Sequence, residues 1–270
     1  MRRVPLVFGL LAVGAVVAAA LVSLVWTPYD PGVIDPARRL AAPAWPHVLG
    51  TDTFGRDIAS RLMAGSRICL VVGIVSVAIA SLIGVPLGVL AGMTHGVWSR
   101  IVLRATDLLY AFPAILIAML LAAAFGGSTL TGMAAIGIAT VPVFTRIARA
   151  GTLTVMSQDY VWAARGSGIS WVRIALRHVW PNIAPLVGVQ ASVSFGMAIL
   201  AEAALSYLGL ATPPTTPTWG RMLYDAQADL FDAPLVTLWP AAAIVVAVMG
   251  FNVLGDALRD LLDPRLREVS

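Results

Sequence analysis

Lysine is absent from this chain, and all 18 of its basic residues are arginine. A P-loop lysine, a Schiff-base lysine and a lysine general base are therefore excluded together. Histidine is scarce as well: His47, His95 and His178 lie far apart in the sequence, so no metal site or catalytic triad can be read from them. The chain cannot hydrolyse ATP at a Walker-type site of its own.

Charge and cysteine are also in short supply. Charged residues make up 12% of the chain, about half of the roughly 25% found in soluble domains, which argues against a soluble enzyme. The single cysteine, Cys69, excludes a disulfide-stapled scaffold. The net charge of +4 comes from arginines scattered between apolar runs, which favours orientation in a membrane over binding of nucleic acid.

Long apolar stretches fill most of the remaining sequence, which is 59% hydrophobic with a mean hydropathy of +0.87. A helix needs about 20 apolar residues to cross a bilayer. The chain is therefore predicted to be an all-α integral membrane protein with six transmembrane helices, at residues 4–26, 68–93, 108–125, 130–144, 183–210 and 238–254. The first run exceeds the 7 to 15 residues typical of a signal-peptide core, so we expect an uncleaved helix.

The division of the chain follows from these helices. We expect an N-terminus with the first helix at 1–26, an outside segment at 27–67, a five-helix core at 68–258 and a tail at 259–270. Most arginines fall on the side of the termini, so the positive-inside rule places both termini and the loop at 147–182 in the cytoplasm. Arg38, Arg39, Arg56, Arg61 and Arg67 count against this orientation, although the rule gives less weight to long segments.

The loop at 147–182 has a helix–break–helix pattern. Tyr160, Ala163 and Ala164 form a predicted apolar stripe, and Gly166 and Gly168 break it. A second short helix carries Arg173 and Arg177 one turn apart and is predicted to stop at Pro181. Its apolar face, with Trp171, Ile174, Ala175, His178 and Val179, has to be buried against the membrane surface or against a partner protein.

The outside segment ends in four residues of mixed charge and turn propensity, Asp52, Gly55, Arg56 and Asp57. A metal site or a catalytic carboxylate pair is conceivable, but no histidine or cysteine cluster accompanies the acids. A charged, turn-rich cap over a channel mouth is therefore favoured. After the fifth helix, Pro213, Pro214, Pro217, Trp219 and Gly220 predict a rigid outer loop with Trp219 at the level of the lipid headgroups.

Glu202 is a carboxylate within a predicted membrane helix, where charge is costly. Counted from Asn182 at about 1.5 Å per residue, it lies roughly 30 Å away, near the outer surface. Two interpretations stay open. Glu202 either pairs with an arginine or caps backbone amides of the following loop, or it acts at a substrate entrance.

Three stretches resemble motifs of ABC-importer permeases. Tyr160–Asn182, YVWAARGSGISWVRIALRHVWPN, is similar to the EAA loop, which docks into a groove of the ATPase subunit. Leu49–Arg67, LGTDTFGRDIASRLMAGSR, resembles the GTDxxGRD signature of the peptide and nickel branch, and Ala201–Leu223 resembles its EASLSFLGLG-PPTPSWG-ML signature. With this order and helix spacing, the chain looks most like a C-type permease subunit of dipeptide and oligopeptide importers.

The resemblance implies a non-catalytic subunit that translocates peptides across the cytoplasmic membrane. Its partners would be the lipid bilayer, a homologous B-type permease, two ABC ATPase subunits that use ATP and Mg, and an extracytoplasmic solute-binding protein. No cofactor or nucleic acid is implied for this chain. Nickel, glutathione or haem import within the same family is the alternative, followed by a secondary transporter or a membrane scaffold.

The resemblance also assigns residues to two sites. The ATPase-coupling loop would comprise Tyr160, Trp162, Ala163, Ala164, Gly168, Arg173, Arg177 and Pro181. Trp162 stands where the family loop usually has glutamate, which leaves an apolar anchor in place of an ion pair. The outer mouth, facing the binding protein, would comprise Asp52, Gly55, Arg56, Asp57, Glu202, Trp219 and Gly220.

Overall fold

The computed structural model describes residues 3–94, 96–213 and 215–262. Across these ranges the chain forms helices and no β-strand, which confirms the all-α prediction. The α-helices are α1 (Arg3–Val25), α2 (Ile58–Met93), α3 (Val97–Ala111), α4 (Ala114–Phe125), α5 (Thr129–Met156), α6 (Asp159–Gly166), α7 (Trp171–Ile174), α8 (Trp180–Tyr207), α9 (Trp219–Ala226) and α10 (Pro234–Leu262). Arg2, His95, Pro214, Arg265, Arg267 and most of the predicted tail lie outside the described residues.

Five helices of the described residues are long and apolar enough to cross a membrane. They are α1, α2, α5, the continuous helix Trp171–Tyr207 that contains α7 and α8, and α10. Each overlaps one predicted span. The helix α2 begins at Ile58, ten residues before the prediction, because the Asp57 carboxylate caps it by accepting a hydrogen bond from the Ser60 amide. Its first turns therefore carry Arg61 and Arg67.

The predicted span 108–125 was wrong as a single helix. The structure divides this stretch into α3 and α4, which meet at a bend of 87°. Pro113 disfavours the helical conformation in the residue before it, and Phe112 is extended with ψ of 127°. The 12 residues of α4 span only about 18 Å, which is too short to cross the roughly 30 Å of hydrocarbon alone.

The centre of the bundle is the contact between α2 and α5. Gly84, Gly88 and Gly92 form a stripe on α2, and a Cβ at Gly88 would lie 2.4 Å from the Thr145 carbonyl oxygen. Small residues at this spacing let two helix backbones approach closely in a membrane. The stripe is therefore a packing seam.

The first and last long helices also pack together. A Cβ on Gly250 of α10 would lie 2.8 Å from the Ala12 Cβ of α1, and one on Gly9 would lie 3.1 Å from the Leu254 nitrogen. Outward-facing positions are apolar, with Leu11 at 69% exposure and Leu82 at 75%. Such surfaces suit contact with lipid or with another membrane protein.

Candidate functional site

The loop at 147–182 folds into two helices joined by a glycine turn. The Gly168 amide donates to the Arg165 carbonyl and the Ile169 amide to the Ala164 carbonyl, which is the hydrogen-bond pattern of a Schellman helix end. Gly168 has φ of +77°, a conformation that favours glycine over residues with a Cβ. This turn sets the direction in which α7 leaves α6.

The buried stripe of α6 differs from the predicted one. Val161 and Ala164 are buried, whereas Tyr160 and Ala163 are exposed. The Val161 side chain packs into a cluster with Val155, Ile174, Val179 and Ile183. The predicted stripe was therefore right at Ala164 and wrong at Tyr160 and Ala163. The apolar side chains that α6 buries are covered by other parts of this chain.

The second helix does not stop at Pro181, and that prediction was wrong. Trp171–Tyr207 is one helix of 37 residues, with a π-helical turn at Ala175–Val179 directly before α8. A proline removes one hydrogen bond and crowds the carbonyl four residues earlier. The π turn changes the hydrogen-bond register at this point, so the helix continues through Pro181. The side-chain amide of Asn182 also donates to the His178 carbonyl at 2.7 Å.

An aromatic and cationic surface results on the exposed side of the loop. The Arg165 guanidinium lies 4.9 Å from the ring centre of Trp162 and 4.4 Å from that of Trp171. Tyr160 and His178 pack at 5.8 Å between ring centres. Trp162 is 59% exposed, and Arg173 and Arg177 are exposed as well, so the loop presents large rings and positive charge.

The segment at 27–67, called the cap segment below, is held by a buried network of charges. The Arg56 Nε donates to an Asp52 carboxylate oxygen at 2.6 Å, and its Nη2 donates to Asp225 at 2.7 Å. Arg61 is 1% exposed and lies 3.5 Å from Asp52 and 3.7 Å from Asp225. Arg221 pairs with the second Asp225 oxygen at 3.0 Å.

The network joins two parts of the sequence that lie far apart. Asp52 and Arg56 belong to the cap segment, whereas Asp225 belongs to α9. A second link of the same kind connects Thr53 to Asp229 at 2.7 Å. The cap segment is therefore fastened to the connection between α8 and α10.

Asp57 has a separate role at the start of α2. Its carboxylate accepts hydrogen bonds from the Ser60 amide and hydroxyl at 2.8 and 2.7 Å, and it lies 2.9 Å from His47 Nδ1. The His47 ring packs against Tyr29 at 4.5 Å. Within the described residues no group of three or more histidine, cysteine, aspartate or glutamate side chains could hold a metal ion.

Close packing explains the two glycines assigned to the outer mouth. Gly55 has φ of +75°, and a Cβ there would lie 1.8 Å from the Asp35 carbonyl oxygen. A Cβ on Gly220 would lie 2.1 Å from the Ala203 carbonyl oxygen of α8. Any larger residue at either position would push the cap segment or α9 away from its neighbour.

The prediction that Trp219 lies at the level of the lipid headgroups was wrong. Trp219 is 4% exposed, and its indole donates to the Leu62 carbonyl at 3.0 Å. The ring covers Gly65 of α2, where a Cβ would lie 2.8 Å from Trp219 Cδ1. Trp219 therefore fixes α9 onto the first turns of α2.

Glu202 is 3% exposed and accepts a hydrogen bond from the Ser206 hydroxyl at 2.6 Å. Ser206 in turn lies 3.0 Å from the Thr212 hydroxyl. No arginine lies within ion-pair distance of Glu202 in the part of the chain that the structure describes, so the arginine pair named in the first of the two interpretations is not found there, and the Ser206 hydroxyl is the partner instead. Glu202 is a buried anchor for the turn after α8.

The residues assigned to the outer mouth thus lie in the interior, in several separate contacts. Asp52, Arg56, Asp57, Glu202 and Trp219 are all buried, so in this conformation they set the shape of the cap rather than forming its surface. The sequence reading missed Arg61, Arg221 and Asp225 as partners. The one sequence pattern that indicates the Arg221–Asp225 ion pair is their spacing of one helical turn.

Comparison with known proteins identifies the family. Residues 84–268 match the profile described as the inner membrane component of binding-protein-dependent transport systems. The chain belongs to this family. It is 41% identical to the glutathione transport system permease protein GsiD of Pectobacterium atrosepticum over 89% of this chain and 80% of that protein.

A second relative extends the alignment to nearly the whole chain. The dipeptide transport system permease protein DppC of Alkalihalophilus pseudofirmus is 37% identical over 97% of this chain and 86% of its own length. The fold is similar to that of a chain in the inward-facing MetNI methionine ABC transporter, with a TM-score of 0.63, 17% identity, and coverage of 75% of this chain and 97% of that one. The protein is therefore a multi-pass membrane permease of the peptide branch.

Proposed function

We propose that this chain is the permease subunit of an ABC importer for short peptides, with both termini in the cytoplasm. The relatives named above are a glutathione permease and a dipeptide permease, and both substrates are short peptides. The proposed partners are a homologous B-type permease, two ATPase subunits and an extracytoplasmic solute-binding protein. ATP and Mg²⁺, bound by the ATPase subunits, would supply the energy.

One structural observation carries the coupling mechanism. The exposed loop surface and the cap region are connected by a single helix of 37 residues, Trp171–Tyr207, which is about 55 Å long. Its first turn carries Trp171 beside Arg165, and its last turns carry Ala203 against Gly220. A displacement of the loop by an ATPase subunit would therefore reach the cap as movement of one rigid element.

The packing of the chain determines what can move with that helix. At its start, Ile174, Val179 and Ile183 are buried against α5 and α6, so the loop and the start of the helix would move together. At its end, Ala203 contacts Gly220, and the buried charges tie α9 to the cap segment. We infer that loop movement opens or closes the outer mouth through this contact.

Reconstituted transport tests the proposal. The complete assembly with its native binding protein would be placed in proteoliposomes, and uptake of labelled dialanine, glutathione and Ni²⁺ measured with and without ATP. ATP-dependent uptake of either peptide, with none of Ni²⁺, is the expected result. Uptake that follows an ion gradient without ATP would overturn the importer mechanism, and uptake of Ni²⁺ alone would overturn the peptide substrate.

A further inference from the structure

An open groove of about 860 Å³ lies between α2 and the helix that begins at Trp171. The wall on α2 is mostly apolar and is formed by Leu82, Val85, Pro86, Val89, Leu90 and Met93 beside Ser81. The opposite wall is formed by Val172, Ala175, Leu176 and Val187. Leu82 is 75% exposed and Leu176 is 66% exposed, so these side chains require an apolar neighbour that the chain itself does not provide.

The groove has the depth of one bilayer leaflet. From Thr94 to Leu82 it follows α2 for about 18 Å at 1.5 Å per residue, close to half of the roughly 30 Å hydrocarbon thickness. On the proposed orientation, on which this step depends, it runs from the cytoplasmic surface towards the middle of the membrane. Its walls therefore face the acyl chains of the cytoplasmic leaflet.

The rim of the groove is aromatic and carries one positive charge. Trp98, Trp171 and Trp180 line the groove and are exposed, as is typical of tryptophan at a membrane interface. Arg165 is the charged residue among the lining residues, and it forms no ion pair within residues 3–94, 96–213 and 215–262. A neighbouring depression that shares Val172 and Leu176 is lined by Arg173 and Arg177.

We propose that the groove binds one anionic phospholipid of the cytoplasmic leaflet, with the phosphate at Arg165 and the acyl chains along α2. Ser81 and Thr94 are the uncharged polar side chains of the lining, so the walls offer few hydrogen bonds to a peptide, whereas acyl chains need none. Large side chains such as Leu82 and Leu90 project into the groove, whereas close helix contacts in membranes favour small residues. A lipid chain adapts to such a surface.

Binding at Arg165 would reach the loop directly. The guanidinium that would meet the phosphate also stacks on Trp162 and Trp171. A bound phosphate would hold Arg165 between these rings and thereby stabilise the angle between α6 and α7. Anionic lipid is therefore expected to stabilise one conformation of the loop.

Native mass spectrometry of the purified assembly tests the binding. The assembly would first be equilibrated in mixed vesicles of phosphatidylglycerol and phosphatidylcholine and then extracted. The unmodified protein is expected to retain one phosphatidylglycerol per copy of this chain. Arg165→Gln is expected to lower this retention roughly tenfold, because charge-assisted hydrogen bonds to phosphate are lost, and Arg165→Lys to restore part of it. Arg104→Gln, an exposed arginine of α3 outside the groove, is the matched control and should retain lipid normally.

A second variant tests the groove itself. Leu90→Trp places a large ring in the cavity and is expected to reduce retention of both lipids. In addition, a photoreactive amino acid at position 82 should form an adduct with the mass of one phospholipid. Equal retention in Arg165→Gln and the unmodified protein, an equal loss in Arg104→Gln, or an adduct at position 82 with a protein subunit would overturn the proposal.

The readout separates this proposal from the proposed function. Lipid retention requires neither ATP nor peptide, so the groove can bind lipid even if uptake of peptides fails. Conversely, ATP-driven peptide uptake with unchanged lipid retention in Arg165→Gln would leave the importer intact and reject the lipid site.

Discussion

At the scale of single residues, two glycines are constrained for different physical reasons. Gly168 has open space around its Cα but a positive φ, whereas Gly220 has no room for a Cβ. The first constraint concerns backbone conformation and the second concerns packing. Substitutions at the two positions are therefore expected to affect different properties.

Gly168→Val is expected to weaken attachment of the ATPase subunit while the membrane part stays folded. A β-branched residue at this φ costs at least about 1–2 kcal/mol, which shifts the population of the native turn by roughly 5- to 30-fold. Co-purification of the ATPase would measure the effect. Gly166→Val is the control, since Gly166 also has open space but no positive φ; equal loss in both variants would contradict the role of the turn.

Gly220→Ala is expected to destabilise the protein, because the new Cβ would lie 2.1 Å from the Ala203 carbonyl oxygen. Overpacking of this kind typically costs about 1–3 kcal/mol. Thermal unfolding in detergent would detect the change as a lower midpoint. Gly188→Ala is the control, because Gly188 lies on α8, the helix that Gly220 contacts, and a Cβ there would meet nothing within 4 Å. This variant should unfold at or above the temperature of the unmodified protein. An equal fall of the unfolding temperature in both variants would contradict the packing argument.

At the scale of elements, the cap segment depends on the charge network with α9. Asp225→Asn removes one of the two carboxylates that neutralise Arg56 and Arg61, both of which are buried. Loss of one partner from a buried ion pair costs about 3–5 kcal/mol. We expect limited proteolysis to cut the cap segment in this variant.

Asp232→Asn provides the comparison for that experiment. Asp232 lies between α9 and α10, is exposed and forms no ion pair within the described ranges. The cap segment of the Asp232→Asn variant should therefore resist protease like that of the unmodified protein. If Asp225→Asn were equally resistant, the network would not be what holds the cap.

The sequence predicted which stretches are helical better than where the helices bend. Hydropathy located all six apolar stretches because lipid requires length and apolar character, which composition records directly. Proline had opposite outcomes: Pro113 divides a predicted helix, whereas Pro181 sits in a continuous one. The difference lies in the π turn directly before Pro181, a change of hydrogen-bond register that hydropathy does not record.

The candidate site was predicted in part for a related reason. Motif spacing identified Gly168, Arg56 and Trp219 as notable positions, but not their depth. Trp219 is buried against Leu62 and Gly65 of α2, more than 150 residues away in the sequence. Contacts between distant segments, such as Arg56 with Asp225, are not visible in local periodicity.

At the scale of the whole molecule, the proposed orientation has a direct test. The chain has one cysteine, Cys69, which is buried, so introduced cysteines can be labelled selectively. Val33→Cys in the cap segment should react with a membrane-impermeant maleimide in spheroplasts, and Ser167→Cys only after permeabilisation. The unmodified protein should stay unlabelled, and the reverse labelling pattern would contradict the proposed orientation.

The contact between α1 and α10 has a consequence for synthesis. The helix α1 leaves the ribosome well before α10, against which it packs, and about 200 residues separate the two helices. At about 5–20 residues per second, α1 would wait roughly 10–40 s in the bilayer before its partner is made. During that interval Gly9 and Ala12 lack their partner helix and face lipid or the insertion machinery, so a nascent chain that ends before α10 carries an uncovered helix face on α1.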